Sequence, residues 1–306
     1  MIAYLFPGQG SQHAGMGKEL ADNFAVARQV FEEANDALGF DLAALCFNGP
    51  EDDLKLTANT QPAILTTSVA ALRVLSAETG LVPSFAAGHS LGEYSALVCA
   101  GGLAFADAVR VVRQRGTFMQ EAVPVGTGSM AAILGLGLDD LAVVCSDAAQ
   151  GQVVTPANFN SDGQVVIAGH TEAVDRAIVL AKEKGAKRAM PLPVSAPFHC
   201  SLMIPAGERL ATVLNGIDVG EMTLPVITNV EAAPNQDSAR VRELLVKQVS
   251  APVRWQETIA SMVELGVDRY VEIGPGKVLS GLAKRMAKGS TIQNVQNVAD
   301  LSDLAG

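Results

Sequence analysis

Short apolar runs alternate along most of the chain with longer segments whose apolar residues recur at helical spacing. Residues 2–6 (IAYLF) form the first apolar run and end at Pro7, which is typical of a buried strand. Residues 60–79 carry apolar side chains at helical spacing and stop before Gly80, which predicts a helix. Further strands are predicted at 84–88, 223–230, 269–274 and 291–295. Strands that alternate with helices predict an α/β fold with a mostly parallel sheet covered by helices.

The middle of the chain departs from this alternation. Its pattern reads strand, helix, two strands joined by a turn at Asp162-Gly163, helix and strand. This β-α-β-β-α-β order predicts a ferredoxin-like subdomain, which we place at 125–197 as an insertion. The flanking segments 1–124 and 198–306 would then form a larger, α/β-hydrolase-like core.

Composition narrows the class of protein. The chain has 306 residues, of which 49% are hydrophobic, so it can bury a large core. A net charge of −10 makes nucleic acid a poor partner. No apolar run reaches the ~18 residues that a membrane span needs, and no basic segment of a signal peptide precedes the first strand. The four scattered cysteines form no metal-binding or disulfide pattern, so we expect a cytoplasmic protein.

Candidate chemistry begins at Gly88-His89-Ser90-Leu91-Gly92, which has the pattern G-x-S-x-G. The pattern alone is weak in a glycine-rich chain, and an ordinary serine in a tight turn is the alternative. Its context is stronger, because a predicted strand precedes it and a predicted helix follows it. That setting is typical of a nucleophile elbow, in which a helix N-terminus can stabilise an oxyanion.

A nucleophilic serine needs a base, and the chain has only four histidines: His13, His89, His170 and His199. His89 adjoins the serine, and neighbouring residues on a sharp turn usually point apart. His199 follows a strand and a proline where the chain re-enters the core, so it is a candidate base. A packed loop histidine is the alternative.

Arg115 is the most informative charged residue. On its predicted helix it falls on the apolar stripe with Val112 and Met119, whereas Arg110 and Arg113 project to the polar face. An inward arginine must be paired, because an isolated buried charge is costly. The partner is either a carboxylate of the protein or a carboxylate of a substrate, and the planar guanidinium suits both.

Two glycine-rich loops are candidates for ligand sites. Gln9 lies between two glycines after the first strand, where loops of α/β sheets line the site, although a plain connecting loop is the alternative. Residues 272–279 (EIGPGKVL) lack the spacing of a phosphate-binding loop, and Val278 stands where a metal-binding hydroxyl is needed. The sequence therefore argues against nucleotide hydrolysis.

Together these motifs resemble the malonyl-CoA:acyl carrier protein transacylases, acyltransferases of fatty acid and polyketide synthesis. The resemblance covers nearly the whole chain and matches the predicted insertion. The motifs that carry it are FPGQGSQ (6–12), TQPAIL (60–65), GHSLGEYSAL (88–97), RGTFMQEA (115–122), NFNSDGQVVIAG (158–169), PVSAPFHC (193–200), QVSAPVRW (248–255) and VEIGPGKVL (271–279).

The resemblance implies a role for each matching residue. Ser90 would become malonylated, with His199 as its base and Arg115 as the clamp for the malonyl carboxylate. The remaining implied roles are an oxyanion hole from the N–H groups of Gln9 and Leu91, orientation of His199 by the carbonyl of Gln248, and substrate contacts from Phe198, Asn158 and Asn160. Phe198 resembles the malonyl-selective form, and Cys200 departs from the serine that is common there.

The resemblance also implies the partners, which are malonyl-CoA and an acyl carrier protein that bears phosphopantetheine. It implies no metal and no other cofactor, and a monomer is expected. Because the carrier is acidic in this family and this chain is acidic too, docking should use a local basic patch; a solvated charged face is the alternative. The candidates are Lys182, Lys184, Lys187 and Arg188 in the insertion and Lys284, Arg285 and Lys288 near the C-terminus.

Other functions remain open at this point. The serine motif alone would also suit an esterase or thioesterase, in which water is the acceptor. Malonyl transfer could instead serve a polyketide or malonate decarboxylase system. A non-catalytic acyl-binding subunit is disfavoured, because every catalytic type of residue is present.

Overall fold

The computed structural model describes residues 1–194 and 196–304. The strands are β1 Ile2–Phe6, β2 Phe85–Gly88, β3 Gly128–Leu134, β4 Val154–Ser161, β5 Gln164–His170, β6 Arg188–Pro191, β7 Val226–Ile227, β8 Pro234–Asn235, β9 Arg269–Ile273 and β10 Thr291–Val295. The helices are α1 Lys18–Asn23, α2 Ala25–Leu38, α3 Leu42–Asn48, α4 Glu51–Lys55, α5 Thr57–Thr79, α6 Gly92–Cys99, α7 Phe105–Glu121, α8 Leu138–Ala149, α9 Thr171–Glu183, α10 Ile204–Leu214, α11 Ser238–Ser250, α12 Trp255–Glu264, α13 Val278–Met286 and α14 Ala299–Ser302.

The larger sheet has six strands in the order β10-β9-β1-β2-β7-β8. Every neighbouring pair is parallel except β7 with β8, which confirms the predicted mostly parallel sheet. Strand β1 lies inside this sheet and is buried on both faces, as its continuous apolar sequence requires. Tyr4 and Phe6 face one hydrophobic core, and Ala3 and Leu5 face another.

Helices cover both faces of the large sheet. On the side of Ala3 and Leu5, α12 and α13 contribute Trp255, Ile259 and Leu282 to the core. On the other side, α5 is buried along most of its length and packs against α7. The carboxyl end of β2 therefore lies between the two helical layers, and its last residue, Gly88, is buried.

The second sheet has four strands in the order β4-β5-β3-β6, and all of its pairs are antiparallel. Asp162 and Gly163 form the two-residue turn between β4 and β5, as the sequence predicts. Helices α8 and α9 pack on one face around Ile133, Val144 and Val174. The element order from β3 to β6 is the predicted β-α-β-β-α-β.

The two sheets meet at strand β4. Asn158 forms a parallel bridge with Val253, in which the Phe159 N–H donates to the Val253 carbonyl at 2.9 Å and the Val253 N–H donates to the Ala157 carbonyl at 2.9 Å. Trp255 follows this bridge and begins α12 in the core of the large sheet. The bridge therefore fixes β4, an edge strand of the small sheet, against the segment that leads into α12.

Several predicted bounds differ from the structure. The predicted strand 223–230 is reduced to β7, because only Val226 and Ile227 pair with neighbouring strands. Helix α5 begins three residues before the predicted start, at Thr57, and contains Pro62 within its early turns. Strand β8 was not predicted, because its two residues carry no apolar alternation.

No helix within 1–194 and 196–304 has the length and apolar character needed to cross a membrane. The four cysteines, all in the described part of the chain, are free thiols.

The close approach of α6 to β1 generates a prediction. A Cβ added at Gly92 would lie 2.0 Å from the Phe6 carbonyl oxygen, which belongs to a fixed strand. We expect Gly92→Ala to lower the free energy of unfolding by about 3 kcal/mol, because backbone cannot yield as a side chain can. Urea titration followed by circular dichroism measures this.

Gly281 on α13 is the matched control, because a Cβ there would meet no atom within 4 Å. Gly281→Ala should be neutral or stabilising by up to ~1 kcal/mol, since alanine is the better helix former. Equal unfolding midpoints for the two variants would contradict the prediction.

Candidate active site

Ser90 lies in the turn between β2 and α6. Its φ is 51°, in the left-handed region that a serine rarely adopts. Both flanking glycines are required by the packing, because a Cβ at Gly88 would lie 1.9 Å from the carbonyl carbon of Gly92. This is the strand-turn-helix arrangement that the sequence predicts, and it directs the serine into a cavity at the helix N-terminus.

His199 is the histidine that reaches this serine. Its Nε2 lies 2.7 Å from Ser90 Oγ, and its own φ is 60°, so this serine and this histidine both occupy left-handed backbone. Its Nδ1 lies 2.9 Å from the Gln248 carbonyl oxygen and 3.1 Å from that of Ala251. Because two acceptors face Nδ1, the proton belongs there, and Nε2 is left free to accept from the serine hydroxyl.

The imidazole of His199 is held neutral. Burial lowers its pKa to about 3, helped by the positive charge of Arg115, whereas the two carbonyls that accept from Nδ1 oppose the shift. A neutral imidazole is the form that can take a proton. The dyad is therefore completed by backbone carbonyls, where a hydrolase triad has a carboxylate.

The other three histidines, all within the described residues, have different partners. His13 contacts the Ser11 carbonyl, and His170 accepts from the Val153 N–H. His89 points away from the serine, as expected for its neighbour on a sharp turn. Its Nε2 pairs with Asn160 Oδ1 at 2.9 Å, and its ring lies against Trp255.

Arg115 is 1% exposed on α7, and its guanidinium points at the serine. Nη1 donates to Gln61 Oε1 at 2.8 Å, and Nη2 donates to Gln248 Oε1 at 3.0 Å and to Ser90 Oγ at 3.1 Å. These acceptors are neutral. Among the described residues, no carboxylate forms an ion pair with Arg115, so the alternative of a protein carboxylate as its direct partner is wrong.

A cavity of about 110 Å³ lies above the serine, which is the size of a short acyl group and not of a long chain. Its apolar wall includes Phe198. The full lining consists of Gln9, Gln61, His89, Ser90, Leu91, Arg115, Met119, Met130, Asn158, Leu192, Val194, Phe198 and His199.

Most of the predicted oxyanion and substrate residues line the cavity, and one does not. Gln9, Leu91, Phe198 and Asn158 line the cavity. Asn160 is not part of the lining, and its side-chain Oδ1 pairs with His89 Nε2, so the structure does not place its predicted substrate contact in the cavity.

Gln248 lies behind the cavity. It is fully buried, and its carbonyl accepts from His199 as expected. The Ser90 N–H donates to Asn229 Oδ1 at 2.6 Å and is thereby occupied, and the N–H groups of Gln9 and Leu91 remain the oxyanion donors that the resemblance implies.

No group of three or more His, Cys, Asp or Glu side chains in the described ranges is arranged to hold a metal ion.

Comparison with known proteins places the chain. Residues 3–302 match the family model described as "Acyl transferase domain". The chain belongs to the acyl transferase family. It is 52% identical over 301 residues to the malonyl CoA-acyl carrier protein transacylase of Salmonella typhimurium, covering 98% of this chain and 97% of the relative. The Bacillus subtilis (strain 168) protein of that name is 51% identical, covering 93% and 90%.

Solved structures agree with this membership of the acyl transferase family. An acyl carrier protein S-malonyltransferase from Vibrio cholerae superimposes with a TM-score of 0.96 at 51% identity, covering 99% of both chains. A structure described as a type II PKS acyl-carrier protein in complex with its malonyl-transacylase gives a TM-score of 0.97 at 51% identity, covering 99% and 98%. The resemblance stated from the motifs is confirmed.

Three residues of this acyl transferase site were not found from the sequence. Gln61 accepts from Arg115, Asn229 accepts from the Ser90 N–H, and Glu93 is a buried carboxylate that accepts from the Asn229 backbone N–H and from Gln248. Glu93 could have been noticed, because it follows the serine motif on an otherwise apolar helix. Asn229 had no local signal, since it lies 139 positions from the serine that it contacts.

The low pKa of His199 predicts the pH dependence of acylation. A base works only when it is neutral, so the acid limb of kcat/KM follows the folded-state pKa and shifts below the ordinary value of 6.5. We expect Ser90 acylation by malonyl-CoA to hold its rate from pH 8 down to about pH 5. Quench-flow with intact-protein mass spectrometry measures the rate.

Glu93→Gln is the control background, because burial also raises the pKa of the Glu93 carboxyl, to about 7. A step near pH 7 that disappears in this background belongs to Glu93. An acid limb centred at 6.5 that persists there would contradict the assignment of a neutral, low-pKa base.

Proposed function

We propose that this chain transfers the malonyl group of malonyl-CoA to the phosphopantetheine thiol of an acyl carrier protein, as a step of fatty acid synthesis. The acyl group passes through an ester on Ser90. The observation that carries the proposal is the contact between Arg115 Nη2 and Ser90 Oγ at 3.1 Å, which sets a buried cation beside the nucleophile. The names of the relatives support the same reaction.

The first half-reaction loads the serine. His199 Nε2 takes the hydroxyl proton while Oγ attacks the thioester carbonyl carbon, and the N–H groups of Gln9 and Leu91 stabilise the oxyanion. When the tetrahedral intermediate collapses, the carbon–sulfur bond breaks. The CoA thiolate leaves and takes the proton from the His199 imidazolium, so the base is neutral again.

The second half-reaction reverses these roles. The carrier thiol gives its proton to His199, and its sulfur attacks the ester carbonyl. The carbon–Oγ bond breaks, and Ser90 recovers its proton from the imidazolium. One base thus serves both thiols, and neither step needs a metal or another cofactor.

Arg115 selects acyl groups that end in a carboxylate. Its guanidinium is already held by the amide oxygens of Gln61 and Gln248, so a substrate carboxylate meets a fixed cation and no reorganisation is required. A charge-assisted pair formed in a buried site is strong. Phe198 closes the apolar wall of the cavity and limits the bulk of the acyl group.

The finer description of the fold belongs to this proposal. We take the core as α/β-hydrolase-like, formed by 1–124 and 198–306, and the insertion 125–197 as ferredoxin-like. The strand-elbow-helix at Ser90 and the element order from β3 to β6 support these assignments. We also take the protein to act as a monomer, without nucleic acid.

The carboxylate clamp is tested with a panel of acyl-CoAs. Arg115→Ala should lower malonylation of Ser90 by roughly 10- to 100-fold, because one or more charge-assisted hydrogen bonds worth about 1.5–3 kcal/mol are lost. Acetylation should rise relative to malonylation. Adduct mass and transfer to purified carrier protein are scored for malonyl-CoA and acetyl-CoA side by side.

Three further variants make the test specific. Ser90→Ala should form no adduct. Arg115→Lys should keep the positive charge but lose the planar guanidinium that binds a carboxylate through two hydrogen bonds, so its malonyl-to-acetyl ratio should be intermediate. Arg110→Ala is the matched control, because Arg110 lies on the exposed face of the same helix and pairs with Asp107. A malonyl-to-acetyl ratio that is the same in Arg115→Ala and wild type would refute the clamp, and adduct loss to water in the presence of carrier would indicate a thioesterase.

One residue from each of the two predicted basic patches lies near the same end of the small sheet. Arg285 Nη1 donates to Gln164 Oε1 at 3.3 Å, and Gln164 pairs with Leu134, which pairs in turn with Arg188. Gln164 and Arg188 therefore lie about 10 Å apart across β3, at the same end of the small sheet, and Arg285 contacts Gln164 there. Lys187 adjoins Arg188, and all three basic residues are exposed. We call Lys187, Arg188 and Arg285 the basic edge.

The basic edge is proposed as the docking site for the acidic carrier. It lies at the end of β3, about 13 Å along that strand from Met130, which lines the cavity. The triple variant Lys187→Glu, Arg188→Glu, Arg285→Glu should slow transfer to the carrier at least ~10-fold, while loading from malonyl-CoA stays normal. Single-turnover assays of each half-reaction measure this.

Lys247→Glu, on the exposed face of α11, is the control for reversing one charge outside the basic edge. Equal losses in both half-reactions of the triple variant, or equal slowing by Lys247→Glu, would contradict docking at the basic edge.

A further inference from the structure

Glu93 is a buried carboxylate in the first turn of α6, three residues after the nucleophile. It is 1% exposed. Buried carboxylates need hydrogen-bond donors, and Glu93 Oε2 has two: the Asn229 backbone N–H at 2.9 Å and Gln248 Nε2 at 2.8 Å. Both donors belong to residues that touch the catalytic dyad, so this carboxylate is joined to the site on two sides.

The first connection fixes the side-chain amide of Gln248. Its Nε2 donates one hydrogen to Glu93 and the other to the Ser90 carbonyl at 3.0 Å, so both hydrogens face acceptors. Its Oε1 is thereby turned toward Arg115 Nη2, at 3.0 Å. The reversed amide would set an NH₂ group against the guanidinium and an oxygen against two acceptors.

The second connection fixes the nucleophile turn. Asn229 accepts from the Ser90 N–H through Oδ1, and it donates through Nδ2 to the Gly88 carbonyl at 2.7 Å. The Asn229 backbone is tied in turn to Glu93. Glu93 Oε2 therefore supports both residues that contact the left-handed turn at Ser90, which are Asn229 and Gln248.

The Glu93 carboxyl and the Arg115 guanidinium also interact through their charges. Burial raises the pKa of Glu93 to about 7, and the Asn229 N–H, the Gln248 amide and the charge of Arg115 limit that rise. The amide of Gln248 stands between the carboxylate and the guanidinium. Arg115 is therefore influenced by Glu93 but not bound by it, and its donors remain directed at the cavity.

We propose that Glu93 is a positioning residue for acyl transfer: as the acceptor for Gln248 Nε2 and the Asn229 N–H, it holds Arg115 and Ser90 in their working orientations. This inference rests on the proposed function, because it assigns Glu93 to the same carboxylate clamp. It predicts that the placement of the acceptor atom matters more than the charge of the group.

Two conservative variants separate placement from charge. Glu93→Asp keeps the charge but withdraws the acceptor by one methylene, and Glu93→Gln loses the charge but keeps an acceptor oxygen at the same length. We expect Glu93→Asp to lower the malonylation rate of Ser90 by roughly 10- to 100-fold, as a misplacement of about 1 Å in a site can do. The malonyl-to-acetyl ratio should fall with it, and Glu93→Gln should restore most of both losses.

Glu272 supplies the matched control. It is also 1% exposed, and its carboxylate accepts from the N–H groups of Leu279 and Ser280, away from the cavity. Glu272→Asp should shift the unfolding midpoint but leave the malonyl-to-acetyl ratio of folded protein unchanged. All rates are referred to folded protein measured by circular dichroism.

The outcomes are distinct. A wild-type ratio in Glu93→Asp would overturn the positioning role, and so would a loss in Glu93→Gln that equals or exceeds the loss in Glu93→Asp. If wild-type protein itself forms no malonyl adduct on Ser90, the proposed function fails, whatever the Glu93 variants do.

Discussion

The Arg115 guanidinium is buried, and the polar groups around it accept its hydrogen bonds without neutralising its positive charge. Amide oxygens of Gln61 and Gln248 accept its N–H groups, and Ser90 Oγ accepts a third bond. A carboxylate in direct contact would have stabilised the cation and occupied it. Neutral acceptors leave the positive charge able to attract an anionic acyl group.

The same constraint connects the large sheet to the chemistry. Arg115 comes from α7, Gln248 from the end of α11 and Ser90 from the turn after β2, so three separate elements must be held in register. The turn is fixed by glycines that let α6 approach β1 and by Asn229 from the loop after β7. Rigid packing of this kind is what allows both Ser90 and His199 to hold left-handed backbone angles.

The sequence predicts those parts of the molecule that depend on local patterns. Strand β1, helix α8 and the turn at Asp162 and Gly163 appear where periodicity and turn chemistry place them. The turn at Ser90 could also be predicted from the sequence, because the glycines and the flanking strand and helix lie within a few residues of Ser90. The length of strand β7 was overestimated, because an apolar run does not reveal how few of its residues pair with a neighbouring strand.

Contacts between distant segments could not be read in the same way. Spacing alone left the role of His199 open, and only the resemblance to a family raised it above the other histidines. The partner of Arg115 stayed undecided until the structure showed amide oxygens around it. Asn160 was carried over with its motif, but its side chain is bonded to His89 outside the cavity lining. Burial of Glu93 depends on Asn229 and Gln248, which are far away in sequence.

The carbonyl acceptors behind His199 have a consequence for the reversibility of the reaction. A carboxylate at that position would stabilise the imidazolium and let it persist. The carbonyls of Gln248 and Ala251 orient the ring but offer no full negative charge. The imidazolium is therefore short-lived and returns its proton readily to either sulfur or oxygen. Such a centre passes the acyl group between two thiols in either direction, and the relative amounts of the two thiols and their two thioesters set the direction of net transfer.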